Sequence, residues 1–376
     1  MVARSTAFPN NSARAYINAK FRICVEFPAA QNHIGLLMMF FSLTAFRTWW
    51  RGALLAAAWM ALAIPHAVAQ QPAAETDADS AEFSLTAPAV VAKQVSRSAW
   101  YVEGLGALGS SSNQNFISNA AFVVTPGGVV VIDALGSPAL AERLMAEIRK
   151  ITPLAVTHVI VTHYHADHIY GLQSFKAKGA RIVAHRAAQE YLNSDTAAIR
   201  LQASRQTLAP WIDANTRLIP ADEWIDSPKE LVVGGVRFQL QPVGPSHTPE
   251  DLVVYMPDEK ILFAGDLVFR ARIPYVGQAD SGHWIKALQS LLAFETATIV
   301  PGHGPLSSHA RQDMELTRDY LVYLRDTMGQ AAKNMEPFDD AYRATNWTRF
   351  EGLPLFRVAN RMNAYNTYLL MERDAQ

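Results

Sequence analysis

The segment Thr162-His163-Tyr164-His165-Ala166-Asp167-His168-Ile169-Tyr170-Gly171 constrains this chain more than any other stretch. Four side chains able to bind a metal, His163, His165, Asp167 and His168, fall within six residues. They follow the run His158-Val159-Ile160-Val161-Thr162, which reads as a short buried strand. At an extended strand end, residues two apart project to the same side, so His163 and His165 point together. Asp167 and His168 fall where a helix can begin and turn toward an adjacent point. One stretch can thus serve two neighbouring metals, and imidazole with carboxylate is a zinc-type donor set.

Further donors are expected on loops that follow later strands. His247 lies in Gly244-Pro245-Ser246-His247-Thr248-Pro249, after Phe238-Gln239-Leu240. Asp266 follows Ile261-Leu262-Phe263-Ala264-Gly265, and His303 sits in Val300-Pro301-Gly302-His303-Gly304-Pro305. Glycine and proline beside each donor let backbone approach a crowded site. One histidine alone is presumed structural; seven donors in this order are not. His158 and His185 read as strand residues, His283 as a helix-start or pocket-rim residue, and His309 as a solvated helix start. Asp133 is expected to orient a ligand from behind. Loop 104–118, rich in Gly, Ser and Asn, suits a flap over substrate and equally an ordinary surface loop. Arg270, Arg272, Tyr275 and Trp284 follow Asp266 as candidate pocket walls; arginine there favours an anionic substrate, and structural ion pairs explain arginines as often.

The surrounding pattern alternates strands and helices. Hairpins are expected at 121–124 with 129–132, at 230–233 with 236–241, and at 252–256 with 260–264. Helices are expected at 137–150, from Ile169, at 186–208, at 284–292, at 308–334 and at 355–372, with strands at 181–184 and 298–300. Such a mixture predicts a two-layered sheet core covered outside by helices.

Arg47 and Arg51, the apolar run 52–64 and Ala67-Val68-Ala69 have the order of a secretory signal peptide cleaved after Ala69. The run is shorter than the roughly 20 residues that span a bilayer, so no stable membrane insertion is expected after cleavage. Residues 1–37 read as a mis-start or an extended N-terminus, 38–69 as the signal peptide, and 70–95 as a linker. Residues 96–310 read as the main domain and 311–376 as a helical C-terminal extension. The one cysteine, Cys24, precedes all of this, so a mature chain from Gln70 has no thiolate for a metal. A formal net charge of -1 argues against nucleic acid as a partner.

The His163–His168 segment, the later His247, Asp266 and His303, and the Val131-Ile132-Asp133 hairpin resemble the metallo-β-lactamase superfamily over residues 100–310. The resemblance implies a four-layer αββα sandwich, here with a helical C-terminal extension. It implies that His163, His165 and His247 hold one zinc, that Asp167, His168 and His303 hold a second, and that Asp266 bridges them. Two zinc ions about 3.5–4 Å apart share a water and lower its pKa to about 7. The implied activity is zinc-dependent hydrolysis of an ester, thioester, lactone or lactam carbonyl of a small substrate by a metal-bridging hydroxide. Asp167 and Asp266 are the implied catalytic residues, and iron or manganese are alternative metals. Overall pattern and tail are also, more weakly, similar to the SoxH-like and quinoprotein-associated hydrolases, and the signal-peptide order at 38–69 implies a secreted, periplasmic protein. Two alternatives are a class B-like β-lactamase and an iron-dependent persulfide dioxygenase-type oxidoreductase. Several class B β-lactamases place a cysteine on the second metal; Gly265-Asp266 is closer to the glyoxalase II and lactonase branch. His165 stands where flavodiiron proteins carry glutamate.

Overall fold

The computed structural model describes residues 89–374. The expected signal peptide, the stretch before it and residues 70–88 of the expected linker lie outside the described residues. The chain runs through β1 (Lys93–Gln94), β2 (Ala99–Val102), β3 (Ala120–Thr125), β4 (Gly128–Ile132), α1 (Pro138–Ile151) and β5 (Val156–Ile160). Next come α2 (Ala166–Ile169), α3 (Leu172–Ala177), β6 (Arg181–His185), α4 (Ala188–Leu192), α5 (Asp195–Thr207) and β7 (Glu223–Ile225). The second half holds β8 (Lys229–Val233), β9 (Val236–Pro242), β10 (Leu252–Met256), β11 (Ile261–Phe269), α6 (Ser281–Leu291) and β12 (Thr298–His303). Helices α7 (Ala310–Lys333), α8 (Phe338–Ala344) and α9 (Phe356–Asp374) close the chain.

Among the described residues the strands form two sheets, β1 to β7 in chain order and β12-β11-β10-β9-β8. β4 to β7 are mutually parallel, as are β11 and β12. Four layers need three apolar interfaces, and strand alternation supplies them. In β4, Val129 and Val131 face Leu140 and Leu144 of α1. Val130 and Ile132 face the other way, into a cluster with Phe238, Leu252 and Phe263 between the sheets. Val253, Leu262 and Ile299 form the third interface with Trp284, Leu288, Leu321 and Leu324. Each fully buried Val, Leu or Phe here contributes roughly 1.5–3 kcal/mol. The αββα sandwich therefore stands, and α7 and α9 share an apolar cluster with α6 on the second sheet. Among the described residues no helix is long and apolar enough to cross a membrane.

Local signals explain most boundaries. The Ser137 side chain accepts from Leu140 N at 3.3 Å and Pro138 occupies the first turn, so α1 starts where the sequence predicts. Three expectations need correction. The helix expected from Ile169 begins at Ala166 and breaks after Ile169, because Gly171 passes so close to Ala134 that a Cβ there would lie 2.0 Å from its carbonyl oxygen. The helix expected over 186–208 is two, because Ser194 caps α5 by accepting from Ala197 N at 3.2 Å. Asp266 does not follow its strand: β11 continues to Phe269 past an irregularity at Gly265, whose φ is +50°. β7 and α8 have no counterpart in the sequence reading, being too short to show a periodicity.

Candidate metal centre

β4 and β5 end side by side, Ile132 opposite Ile160, and the chain after each is tied to the other. Asp133, at φ +62°, turns its carboxylate back toward β5. Thr162 N donates to Asp133 Oδ1 at 2.8 Å, and Thr162 Oγ1 donates to Oδ2 at 2.8 Å. His168 Nδ1 donates to the same Oδ2 at 2.8 Å. Asp133 thus orients His168, the role the sequence suggested. The second sheet is pinned to this point by Leu252 N, which donates to Thr162 O at 2.8 Å. Asn119, just before β3, does the same for the end of β12. Its Nδ2 donates to Pro301 O at 2.8 Å and Gly304 O at 2.7 Å, and its N donates to Gly302 O at 2.8 Å. Position 302 must be glycine, since a Cβ would lie 2.0 Å from Asp266 Oδ1.

The seven sequence-predicted side chains come together on this framework. His163 Nε2 lies 3.1 Å from His165 Nδ1, which lies 3.0 Å from His247 Nε2. Asp266 Oδ2 stands 3.7 Å from His163 Nε2 and 3.3 Å from His247 Nε2. Beside this group, Asp167 Oδ2 lies 3.3 Å from His303 Nε2 and 3.5 Å from His168 Nε2. Asp266 reaches this group too, with Oδ2 3.3 Å from His303 Nε2 and Oδ1 3.2 Å from His168 Nε2. Its carboxylate is therefore shared between two clusters of donors, His163, His165 and His247 on one side and Asp167, His168 and His303 on the other.

Far-side hydrogen bonds set the tautomers. His303 Nδ1 donates to Ile117 O at 2.7 Å, so in the neutral ring Nε2 is the lone pair. Thr162 Oγ1, already donating to Asp133, accepts from His163 Nδ1 at 3.1 Å, so His163 Nε2 is likewise a lone pair. His168 Nε2 and Asp266 Oδ1 are buried and have no hydrogen bond. Burial pushes His165 down to about 4 and His247 down to about 3, and it holds His163 well below 6.5 with help from His168. Burial also opposes charge on His168, but Asp167, Asp266 and Asp133 outweigh it and hold the imidazole well above 6.5. His303 is raised in the same way, against burial, by Asp266 and Asp167. Burial would raise Asp167 and Asp266; the neighbouring imidazoles outweigh it and hold both low.

This donor set fits a cation pair. Converging buried lone pairs repel one another, and an unbonded buried nitrogen or carboxylate oxygen costs about 1–3 kcal/mol. Nitrogens 3.0–3.1 Å apart approach the edge of a tetrahedron with zinc–nitrogen bonds of about 2.0–2.1 Å, which is roughly 3.3–3.4 Å.

The walls are partly those expected. Phe269 stacks on the His303 ring at 5.1 Å, and buried Trp284 lies 5.2 Å from the His247 ring. Tyr275 is 40% exposed at the rim, 6.3 Å from the rings of both His165 and His247. Arg272 is buried with Nη1 3.3 Å from His303 Nδ1. Arg270 instead pairs with Asp313 at 3.1 Å. Asp280 caps α6 by accepting from His283 N at 3.0 Å and also from His283 Nδ1 at 2.7 Å, His283 being exposed, and His158 contacts Thr157 within its strand. Loop 104–118 is neither a free flap nor a plain surface loop. Asn113 to Phe116 are buried, Ile117 holds His303, and Ser118 Oγ donates to Asp167 O at 2.6 Å. Asn119, Ser118 and Asp251 escaped the sequence reading. Asp251 anchors the His247 loop by accepting from Thr248 N and Oγ1, both at 2.8 Å. An Asn or Ser in a glycine-rich stretch looks like turn chemistry, so only its partners reveal the role.

A family model for the metallo-beta-lactamase superfamily matches residues 114–303. The linear primary-alkylsulfatase of Pseudomonas sp. (strain ATCC 19151) is 25% identical over 240 residues, covering 54% of this chain and 45% of that protein. The chain thus spans under half the length of that relative. Metallo-beta-lactamase IND-1 of Chryseobacterium indologenes is 27% identical over 215 residues, covering 55% of this chain and 81% of that protein. Among solved structures, the stereoselective inverting sec-alkylsulfatase Pisa1 from Pseudomonas sp. shares the fold with a TM-score of 0.58 at 18% identity, over 75% of this chain and 50% of that one. With half of its length matched by the family model, and with the sandwich and the His/Asp cluster in place, the chain belongs to the metallo-β-lactamase superfamily.

Proposed function

We propose that the protein is a dinuclear zinc hydrolase acting on an ester, thioester, lactone or lactam carbonyl of a small substrate. One observation carries the reading: a single carboxylate, Asp266, stands within 3.3 Å of donors from both clusters. His163, His165 and His247 would hold one zinc, Asp167, His168 and His303 the other, and Asp266 would serve both. The chemistry a zinc pair supplies when bound is an acidified water and a Lewis acid for the carbonyl oxygen.

The chain's own groups do the rest. Asp133 keeps the His168 proton on Nδ1, and Ile117 O keeps that of His303 on Nδ1, so both rings present lone pairs inward. Asp167, 14% exposed against 4% for Asp266, is the carboxylate that reaches toward solvent and can orient the attacking water. Phe269 and Trp284 exclude bulk water from the inner wall. No serine or cysteine nucleophile is required.

Two observations favour further readings of the same site. Likeness to a linear primary-alkylsulfatase supports a sulfate ester as substrate, and likeness to IND-1 supports a β-lactam. An iron-dependent persulfide dioxygenase is the oxidoreductase alternative. Export to a periplasm-type compartment is supported by Arg47, Arg51, the apolar run 52–64 and Ala67-Val68-Ala69. The test is metal analysis of the purified protein together with nitrocefin, a lactone, a thioester and an alkyl sulfate. Two zinc ions per chain, with turnover abolished by chelator and restored by zinc, is the expected result. One bound iron with oxygen consumption, or no metal at all, overturns it.

A further inference from the structure

Helix α9 wears its large apolar side chains on the outside. The face it turns to α7 and α8 buries Ala359, Asn360, Asn363, Ala364 and Thr367, which are small or polar. On the opposite face Val358, Met362, Tyr365 and Leu369 are between 39% and 52% exposed. The inner face is complete as it stands. Asn363 Oδ1 accepts from Val276 N at 2.9 Å, and its Nδ2 donates to Pro274 O at 2.7 Å, on either side of Tyr275. Asn360 Oδ1 accepts from Tyr320 Oη of α7 at 2.8 Å. The outer stripe has no such cover among the described residues. Apolar side chains exposed singly are ordinary, whereas a continuous run of them marks a docking surface.

The spacing of the stripe says what kind of surface fits it. Its intervals of four, three and four residues are the a/d repeat that keeps one side of a helix toward a partner helix. At 1.5 Å per residue the stripe runs about 16 Å. The intervals also read the same from either end. An antiparallel copy, with a two-fold axis level with the Asn363–Ala364 bond, therefore sets Val358 opposite Leu369 and Met362 opposite Tyr365, each contact occurring twice.

The flanking charges agree. Arg361 and Arg373 of α9 are paired with Asp339 and Asp374. Arg357 and Glu372, beside the two ends of the stripe, are exposed and make no ion pair among the described residues. The antiparallel arrangement brings Arg357 of each copy toward Glu372 of the other, while a parallel one sets like charges together. A lipid surface fits less well, because the acidic Glu372 and Asp374 lie as close to the stripe as the arginines do.

We propose that the outer face of α9 is a self-association surface, on which a second copy of this chain docks its own α9 antiparallel. Four side chains make a small seam for an interface that commonly buries roughly 800 Å² per partner, so a dimer of micromolar strength is expected.

The test is sedimentation velocity of the full-length protein over a micromolar concentration series. Wild type should pass from monomer to dimer as concentration rises. Met362→Glu should weaken association about a hundredfold or more, because pairing would bury an unpaired charge. Its melting temperature should not change, since the side chain is exposed in the single chain. Arg357→Glu and Glu372→Arg should each weaken association about fivefold at low salt. Combining them should restore it, a rescue that only self-pairing gives. In a Cys24→Ser background, oxidising a mixture of Val358→Cys and Leu369→Cys chains should yield the mixed dimer. A wild type that stays monomeric, a dimer that Met362→Glu leaves intact, or preferential linking of Val358→Cys to itself overturns the proposal. So does a protein that does not self-associate but binds anionic phospholipid vesicles through Met362.

Discussion

Two segments converge on the centre by opposite means. His163 to His168 leave the end of a parallel strand buried between neighbours, and their geometry is set by Asp133 and Thr162 a few ångströms away. Residues 272–276 have no regular structure, and their geometry is set by Pro354 and Asn363. The difference teaches where each function can reside. Side chains that converge on one point must be held tightly, which the end of an interior strand with core on both faces does without extra devices. The 272–276 segment takes its course instead from α9 and the turn before it, which lie outside the His/Asp cluster.

Breaking the first segment should have the largest effect. His163→Ala should cut turnover by about three orders of magnitude or more and remove zinc, read by kinetics and metal analysis. Full activity with unchanged zinc sinks the ligand assignment. Removing the support behind it is milder: Asp133→Asn should lower zinc affinity roughly 10–100-fold in a competition titration, because the amide keeps one acceptor oxygen where Thr162 N, Thr162 Oγ1 and His168 Nδ1 share two. An unchanged affinity means that Asp133 serves only the Thr162 backbone.

pH sharpens the contrast, since the ionisable network belongs to the first segment and its partners. In metal-free protein, His163 is held low, His165 at about 4 and His247 at about 3. Below the ordinary imidazole value of 6.5 the unfolded chain binds protons that these folded groups refuse, so stability falls as pH drops from 6.5 toward 4. His168 and His303 are raised, so their contribution is complete below 6.5 and is lost as pH rises through their folded values. Melting temperature of chelated protein should therefore peak near 6.5, and zinc should abolish the alkaline decline. A flat profile between pH 5 and 8, on the order of one to two units either side, would contradict this.

The second segment should respond in stability without loss of metal. Asn363→Ala leaves Val276 N and Pro274 O without partners and should cost about 2 kcal/mol in denaturant unfolding at full zinc occupancy. Zinc loss in this variant would show that the two segments are not separable. Smallest of all, Arg270→Ala breaks a partly exposed pair with Asp313 and should cost no more than about 1 kcal/mol.

The 163–168 donor cluster was legible because its information is local: alternation gives the strand, and a two-residue step puts His163 and His165 on one side. The strand pairs at 120–132 and 252–269 were legible for the same reason, apart from the run of β11 past Gly265. Helix breaks at Gly171 and Ser194 were not, because periodicity continues across them. The first break follows from the nearness of Ala134, which lies 37 residues earlier in the chain.

The sequence by itself determined which side chains could bind metal, that His163 to His168 leave the end of a strand, and that apolar faces exist for four layers. Only the tertiary structure decided that Asp266 is shared by both clusters, that Asn119 ties one sheet to the other, and that Asn363 sets Tyr275. The asparagine ties are hydrogen bonds between residues up to 185 positions apart, and a polar side chain carries no mark of its partner until packing brings the two within about 3 Å.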